Sequence, residues 1–389
     1  MIRAIGWAFY LASSWTWCIG MMLPALLSRD HGWPGFAVFA IPNIVGAAAM
    51  GWVLTGDSSR RFVRDHAAAI KLFSLVTILF QAFYLGWLST AYNPAGWIWQ
   101  LILVVTTAWI GFAVLNRLGK PRLGAVIAWS ISIACAIKLW TSSALDTSLP
   151  ATGVAADSAL WLLPVSTLGF LACPYLDVTF HTARQHLSKS HARLAFTLGF
   201  GVIFAAMICL TYLARNILAP AGSTGFGQNA LAPIDLGKFY IFHALVQLAF
   251  TARLHADTAR TNRDLKLARL PVALAITIGI AIGVGMSFVE WPAPADVHGR
   301  EVAYKIILSA YGLLFPAYLL IAGVRGFRPP TRSTWTLLAA VVVLASPFYW
   351  IGFIDRESRW LAIGFAIVVA GGLAASLLPQ RRERLAHQL

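Results

Sequence analysis

Twelve long apolar stretches, joined by short loops that are alternately rich and poor in Lys and Arg, leave this chain few ways to fold. A run of about 19 apolar residues suffices to cross roughly 30 Å of hydrocarbon as an α-helix. Such spans are drawn at 4–27, 36–55, 69–89, 97–115, 123–144, 158–181, 193–215, 237–258, 271–289, 303–324, 334–353 and 360–378. With 59% hydrophobic and 12% charged residues, the composition lies outside the soluble globular range, so lipid supplies most of the solvent. The predicted fold class is an all-α membrane protein, one transmembrane domain over 1–389 with a basic tail at 379–389.

The loops after even-numbered spans carry Arg60, Arg61, Arg64 and Lys71; Arg117, Lys120 and Arg122; Arg184, Lys189 and Arg193; Arg260, Arg263, Lys266 and Arg269; Arg325, Arg328 and Arg332. With Arg3, Arg381, Arg382 and Arg384, 21 of the 30 basic residues share one side, against seven on the other. The positive-inside bias then predicts cytoplasmic N- and C-termini in a cell (inner) membrane. Topogenic charge and attraction to anionic lipid account for the net charge of +15, so no nucleic-acid partner is implied. The first span is expected to be retained, because it is long, carries Trp7, Trp15 and Trp17, and has no A-x-A site. Cys18, Cys135, Cys173 and Cys209 all fall inside spans, which argues against a disulfide framework. No P-loop, dinucleotide fingerprint or soluble catalytic domain occurs, and the chain is read as not an enzyme.

Two spans carry matching interruptions. The first reads Trp15-Thr-Trp-Cys-Ile-Gly-Met-Met-Leu-Pro24 and the sixth Leu168-Gly-Phe-Leu-Ala-Cys-Pro-Tyr-Leu-Asp177. Glycine loosens a helix, while proline deletes a donor and clashes with the preceding turn. Breaks are therefore expected at Gly20–Pro24 and Gly169–Asp177. If spans one to five form one repeat (4–144) and six to ten another (158–324), the odd number of crossings inverts one repeat relative to the other. The additional helices at 334–378 stand outside this pairing. In inverted-repeat transporters the site lies between discontinuous helices at the midplane. Gly and Pro are also common in ordinary transmembrane helices, where kinks are tolerated.

On residues 13–54, with Pro42-Asn-Ile-Val-Gly46, on Gly169–Asp177, on the Phe239–Asp257 span and on Tyr311-Gly-Leu-Leu-Phe-Pro316, the chain resembles the LeuT-type fold of the amino acid, polyamine and organocation superfamily. The resemblance implies a 5+5 inverted repeat with broken helices one and six. It further implies alternating access and a cation-coupled site. The Gly-rich first-helix signature of amino-acid carriers is absent.

Ionisable groups inside spans are functional candidates by default. Asp177 is the one acidic residue well inside a span; it either binds a cation, proton or charged substrate group, or pairs with Arg184 or Arg253. Lys138 either snorkels outward or, as in some proton-coupled carriers of similar type, stands in for sodium. His243, Gln247 and Thr251 recur every four residues and share one face of the eighth span, with Arg253 and His255 beyond. In sodium-coupled relatives, hydroxyls of this helix and carbonyls of the first complete a sodium site. Here Thr251 is followed by Ala252, which leaves proton coupling through His243, His255 or Lys138 equally open. No other cofactor is implied.

Trp15, Trp17, Tyr84, Tyr175, Tyr311 and Gln81 either line a pocket or pack, and Asn43 is read as an interhelical hydrogen-bonding residue. The substrate-binding set is Trp17, Cys18, Gly20, Gln81, Tyr84, Gly169, Cys173, Tyr175, Asp177 and Tyr311. The ion-coupling set is Lys138, Asp177, His243, Gln247 and Thr251. The leading function is an ion-coupled carrier of a small organic solute, an amino acid or amine for example. Cys18, Met21, Met22 and Cys173 offer soft ligands for the alternative of a transition-metal carrier. A further alternative is a membrane sensor, or an enzyme using His181, His186 and His191, whose five-residue spacing spreads them round a helix. Oligomeric state is not legible.

Overall fold

In hydrocarbon each backbone group must find its partner inside the protein, which leaves helices as the default element. The computed structural model describes residues 1–16, 18–92, 97–117, 121–141, 156–215, 234–261, 269–291 and 298–378. Among them there is no β-strand, only an isolated bridge between Glu290 and His298. The helices are α1 (Ile2–Trp15), α2 (Cys18–Val53), α3 (Gly56–Asp65), α4 (Ala67–Tyr92), α5 (Trp97–Arg117), α6 (Pro121–Thr141), α7 (Ala156–Ala172) and α8 (Val178–His186). They continue as α9 (Lys189–Leu198), α10 (Ala205–Leu213), α11 (Ile234–Thr261), α12 (Arg269–Gly285), α13 (Gly299–Ser309), α14 (Phe315–Val324), α15 (Arg332–Tyr349) and α16 (Leu361–Ala374). Nine described segments are long and apolar enough to cross a membrane, and α5 contributes a shorter apolar stretch at Leu101–Gly111.

Two connections differ from expectation. Spans one and two are joined without a loop: α2 carries both, kinked at Gly32, whose φ of 64° and ψ of −163° suit only glycine. The segment between spans two and three is the helix α3, started by a capping box in which Thr55 and Ser58 exchange bonds. Its Phe62 and Val63 are buried, while Arg60, Arg61 and Arg64 face outward.

The packing shows the repeat. Span one packs on seven through α1 and α9, and span six on two through α7 and α2. Gly46 marks the second contact, since a Cβ there would lie 2.5 Å from the Phe170 carbonyl oxygen. Span one also meets five (α1 on α6), as six meets ten (α7 on the π turn Ala310–Leu314). Spans eight and four pair through α11 and α5, and nine and three through α12 and α4. Each contact maps onto its mate when spans one to five are exchanged with six to ten, so the chain has the inverted-repeat architecture. Spans eleven and twelve, α15 and α16, pack on each other and on α14, outside that exchange.

Prolines inside these helices leave the carbonyl four residues earlier without its donor. Three such carbonyls are served by a hydroxyl from another span. Thr211 Oγ1 donates to Gly20 O (3.0 Å) below Pro24, Ser166 Oγ to Val38 O (2.8 Å) below Pro42, and the Tyr349 hydroxyl to Gly312 O (3.1 Å) below Pro316. The four cysteines are unbridged.

Thr211→Val keeps shape and removes the donor to Gly20. It should destabilise the protein by about 1–3 kcal/mol, the cost of a buried acceptor left unmade, read as a lowered thermal midpoint in detergent. Thr107→Val removes a hydroxyl that serves only its own helix at Leu103 O, and should leave the midpoint nearly unchanged.

Candidate functional site

The first break lies earlier than Gly20–Pro24. α1 stops at Trp15, and Thr16 leaves the helical region at φ −80°, ψ 81°. The hydroxyls of Ser14 and Thr16 bond back to Leu11 O (2.8 Å) and Ala12 O (2.8 Å), the kind of local bonding that competes with helix continuation. α2 restarts at Cys18 and runs straight through Gly20 and Pro24, because Thr211 supplies the bond that Pro24 removes. Trp17 lies outside the described residues. At the head of α2, Cys18 N–H donates to Gln81 Oε1 (2.7 Å) and Cys18 O accepts from the Tyr304 hydroxyl (3.0 Å).

The second break falls within the expected stretch, at its C-terminal end. Gly169 is still helical in α7, where a Cβ would sit 2.8 Å from the Tyr311 carbonyl oxygen. Pro174 opens a 3-10 turn over Cys173–Leu176, and Asp177 is extended at φ −80°, ψ 112°. Asp177 caps α8: its Oδ1 accepts from Thr179 N–H (2.7 Å) and the Thr179 hydroxyl (2.6 Å). The positive end of the α8 dipole favours a carboxylate there. Its Oδ2 is buried with no hydrogen-bond partner among the described residues, and Arg184 bonds Leu54 O and Leu187 O instead.

Aromatic side chains join the two breaks. The Trp15 ring lies 5.0 Å from Phe180 of α8 and parallel to Phe73 of α4 at 6.4 Å, and its Nε1 donates to Asn43 Oδ1 (2.7 Å). Phe73 meets Tyr311 at 5.3 Å, edge to face. Tyr311 sits in the π turn of span ten, bonds Thr77 through its hydroxyl (2.9 Å) and accepts from Cys173 Sγ (3.4 Å) at its carbonyl. A cavity of about 50 Å³ adjoins this plug, lined by Leu23, Leu27, Gly169, Leu308, Tyr311 and Gly312 among others. That volume is well below the roughly 300 Å³ and above of pockets for organic ligands.

The α11 stripe faces the bundle. His243 Nε2 bonds Ser132 Oγ (2.6 Å), Gln247 donates to Ser13 O at the end of α1, and Thr251 is fully buried. His255 Nδ1 bonds Ser74 (2.9 Å). Beside Asp177 Oδ2, the buried Asn43 Nδ2, His243 Nδ1, Thr251 Oγ1 and His255 Nε2 have no partner among the described residues.

Other candidates are placed elsewhere. Lys138 is exposed in the last turn of α6, outside the buried centre. Tyr175 is half-buried and lines a groove at the basic end instead of the space between the breaks. Tyr84 supports α2 indirectly, through Tyr240 (3.3 Å), whose hydroxyl donates to Met21 O (2.8 Å). Gly20 and Gly169 are packing positions within helices. No group of three metal-ligating side chains comes together among the described residues, and the Cys173 thiol is engaged with Tyr311. His181 bonds Ser59 (2.9 Å), His186 bonds Thr182 O (2.8 Å) and His191 bonds Ser188 (2.8 Å), so the three histidines keep separate company.

One constellation escaped the sequence reading. At the end opposite the basic loops, Arg29 grips Glu301 with two bonds (2.6 and 2.9 Å) and bonds Asp30 (2.8 Å). Lys305 reaches Glu301 (3.3 Å) and Asp30 (3.5 Å), and Arg356 reaches Glu301 (3.4 Å). Arg29, Asp30, Glu301 and Lys305 are all under 9% exposed. The i,i+4 pair Glu301/Lys305 on one helix face was the local signal. The cluster ties the first half of α2 to α13 and to the α15–α16 connection.

Removing one partner of a buried ion cluster strands the others, at a cost of about 3–5 kcal/mol. Glu301→Gln should lower the thermal midpoint markedly, and Glu357→Gln, on an exposed pair with Arg359, should barely move it.

No protein-family model and no curated protein matches the chain. Among solved structures it is similar to Mhp1, a nucleobase-cation-symport-1 family transporter in a closed conformation with bromovinylhydantoin bound. The sequences are 13% identical, 96% of this chain and 91% of that chain are covered, and the TM-score is 0.46.

Proposed function

We propose that the protein is a secondary transporter that carries a small polar organic solute by alternating access, bound between the Thr16–Cys18 and Cys173–Asp177 breaks. One observation carries this reading: two helices lose their regular backbone side by side in the bundle core, and the Asp177 carboxylate beside them keeps a buried oxygen without a partner among the described residues. Buried polar atoms are ordinarily paired, so an unpaired one at a break is what a ligand or coupling cation would complete. Asp177 Oδ2 and Thr251 Oγ1 are oxygens suited to a proton, Na⁺ or an ammonium group.

In this scheme both ends of the path are shut. The positive-inside bias puts the basic loops and both termini in the cytoplasm of a cell (inner) membrane. The buried Arg29–Glu301 cluster then closes the outer end. The inner end is held by an exposed bond from Arg3 to His186 O (2.7 Å) and by Trp7 stacked on the His186 ring at 5.5 Å.

Asp177→Asn keeps one acceptor for the α8 cap and removes the charge. It should cut uptake into proteoliposomes by about 10- to 100-fold, the worth of a charge-assisted bond of 1.5–3 kcal/mol, while the thermal midpoint stays near wild type. Uptake of a solute panel under a Na⁺ or a pH gradient supplies both the substrate and the coupling ion. Full transport by Asp177→Asn removes this carboxylate from the mechanism.

A further inference from the structure

Outside the bundle core, at the basic end, a groove of about 760 Å³ runs between span two, span six and span ten. Its walls are apolar: Leu54 at the end of α2, Leu168 and Leu171 of α7, and Leu320 and Val324 of α14. Val53, Leu171 and Val324 are 65%, 37% and 41% exposed, so the groove opens sideways, towards lipid, and is separate from the aromatic plug between the breaks. Its aqueous end is formed by α3, where Arg61 and Asp65 line it, Asp65 already paired with Arg64.

The charges on α3 are divided unequally. Arg60 is paired with Asp57 (2.5 Å) and Arg64 with Asp65 (2.9 Å), so both carboxylates of this helix are taken. Ser58, beside Arg61, is spent on the helix cap with Thr55. Arg61 has no hydrogen bond or ion pair among the described residues. An unpaired guanidinium at the mouth of an apolar cleft matches a phosphodiester headgroup joined to acyl chains, since guanidinium binds phosphate oxygens in a two-pronged geometry. Basic pockets between transmembrane helices at the cytoplasmic level take anionic headgroups for the same reason.

We infer that this groove is a binding site for an anionic phospholipid, its acyl chains between α2, α7 and α14 and its phosphate on Arg61. A neutral solute has no counterpart for the free guanidinium. The bound lipid would touch Leu171, Ala172 and Tyr175, the residues leading into the second break.

Native mass spectrometry of the purified full-length protein, titrated with phosphatidylglycerol or phosphatidylcholine, tests the site. Wild type should retain phosphatidylglycerol in preference to phosphatidylcholine. Arg61→Ala should weaken that preference about five-fold, the worth of one arginine against an anionic lipid. Arg60→Ala makes the same change in net charge on the same helix and should keep the preference. Leu171→Trp, which alters no charge and fills the groove, should reduce retention of phosphatidylglycerol. Equal losses in Arg60→Ala and Arg61→Ala would reduce the effect to general surface charge and overturn the site, as would undiminished retention in Leu171→Trp.

Discussion

A carbonyl that faces hydrocarbon without a donor costs several kilocalories per mole, and much of this structure follows from avoiding that cost. Pro24, Pro42 and Pro316 each create one, and Thr211, Ser166 and Tyr349 each answer it from a neighbouring span. These bonds let proline-containing helices stay helical and fix span one against seven, span two against six and span ten against eleven. Where backbone does become irregular, it is buried and served by side chains: Gln81 and Tyr304 bond the Cys18 N–H and carbonyl, and Gln247 bonds the Ser13 carbonyl. An oxygen left over beside such a break, as at Asp177 Oδ2, is then informative.

The α11 stripe fits the same logic. His243, Gln247 and His255 lie along one face and reach α6, α1 and α4, while Thr251 on the same face has no partner for its hydroxyl among the described residues. The helix therefore serves as a polar spine against three helices of the first repeat, and its Gln247 reaches the end of α1 where regular backbone stops.

How much of this was readable beforehand depends on the range of the forces involved. The spans were legible because hydrophobic length is a local property. The second break was legible within its stretch because Pro174 and the capping carboxylate Asp177 act over one turn. The first was displaced: Gly20 and Pro24 look like a rupture, yet their repair comes from Thr211, far along the chain, while the local cue was the Ser13-Ser14-x-Thr16 cluster. The Arg29–Glu301 cluster went unseen for a related reason. Its members stand at the ends of different spans, where each alone looks like loop charge, and only folding brings them together. α3 reads as loop in the sequence because its charge obscures the Phe62–Val63 face, although Thr55 and Ser58 spell a helix start.

The turn at Gly32 has a mechanical meaning. With no slack between spans one and two, the upper part of the first crossing and the whole of the second are welded into a bent lever, and the ion cluster bolts that lever down near its elbow. Slack is concentrated at Thr16, on the far side of the weld. Any swing of the first crossing is thus assigned to a short strut, α1, pivoting below a fixed arm.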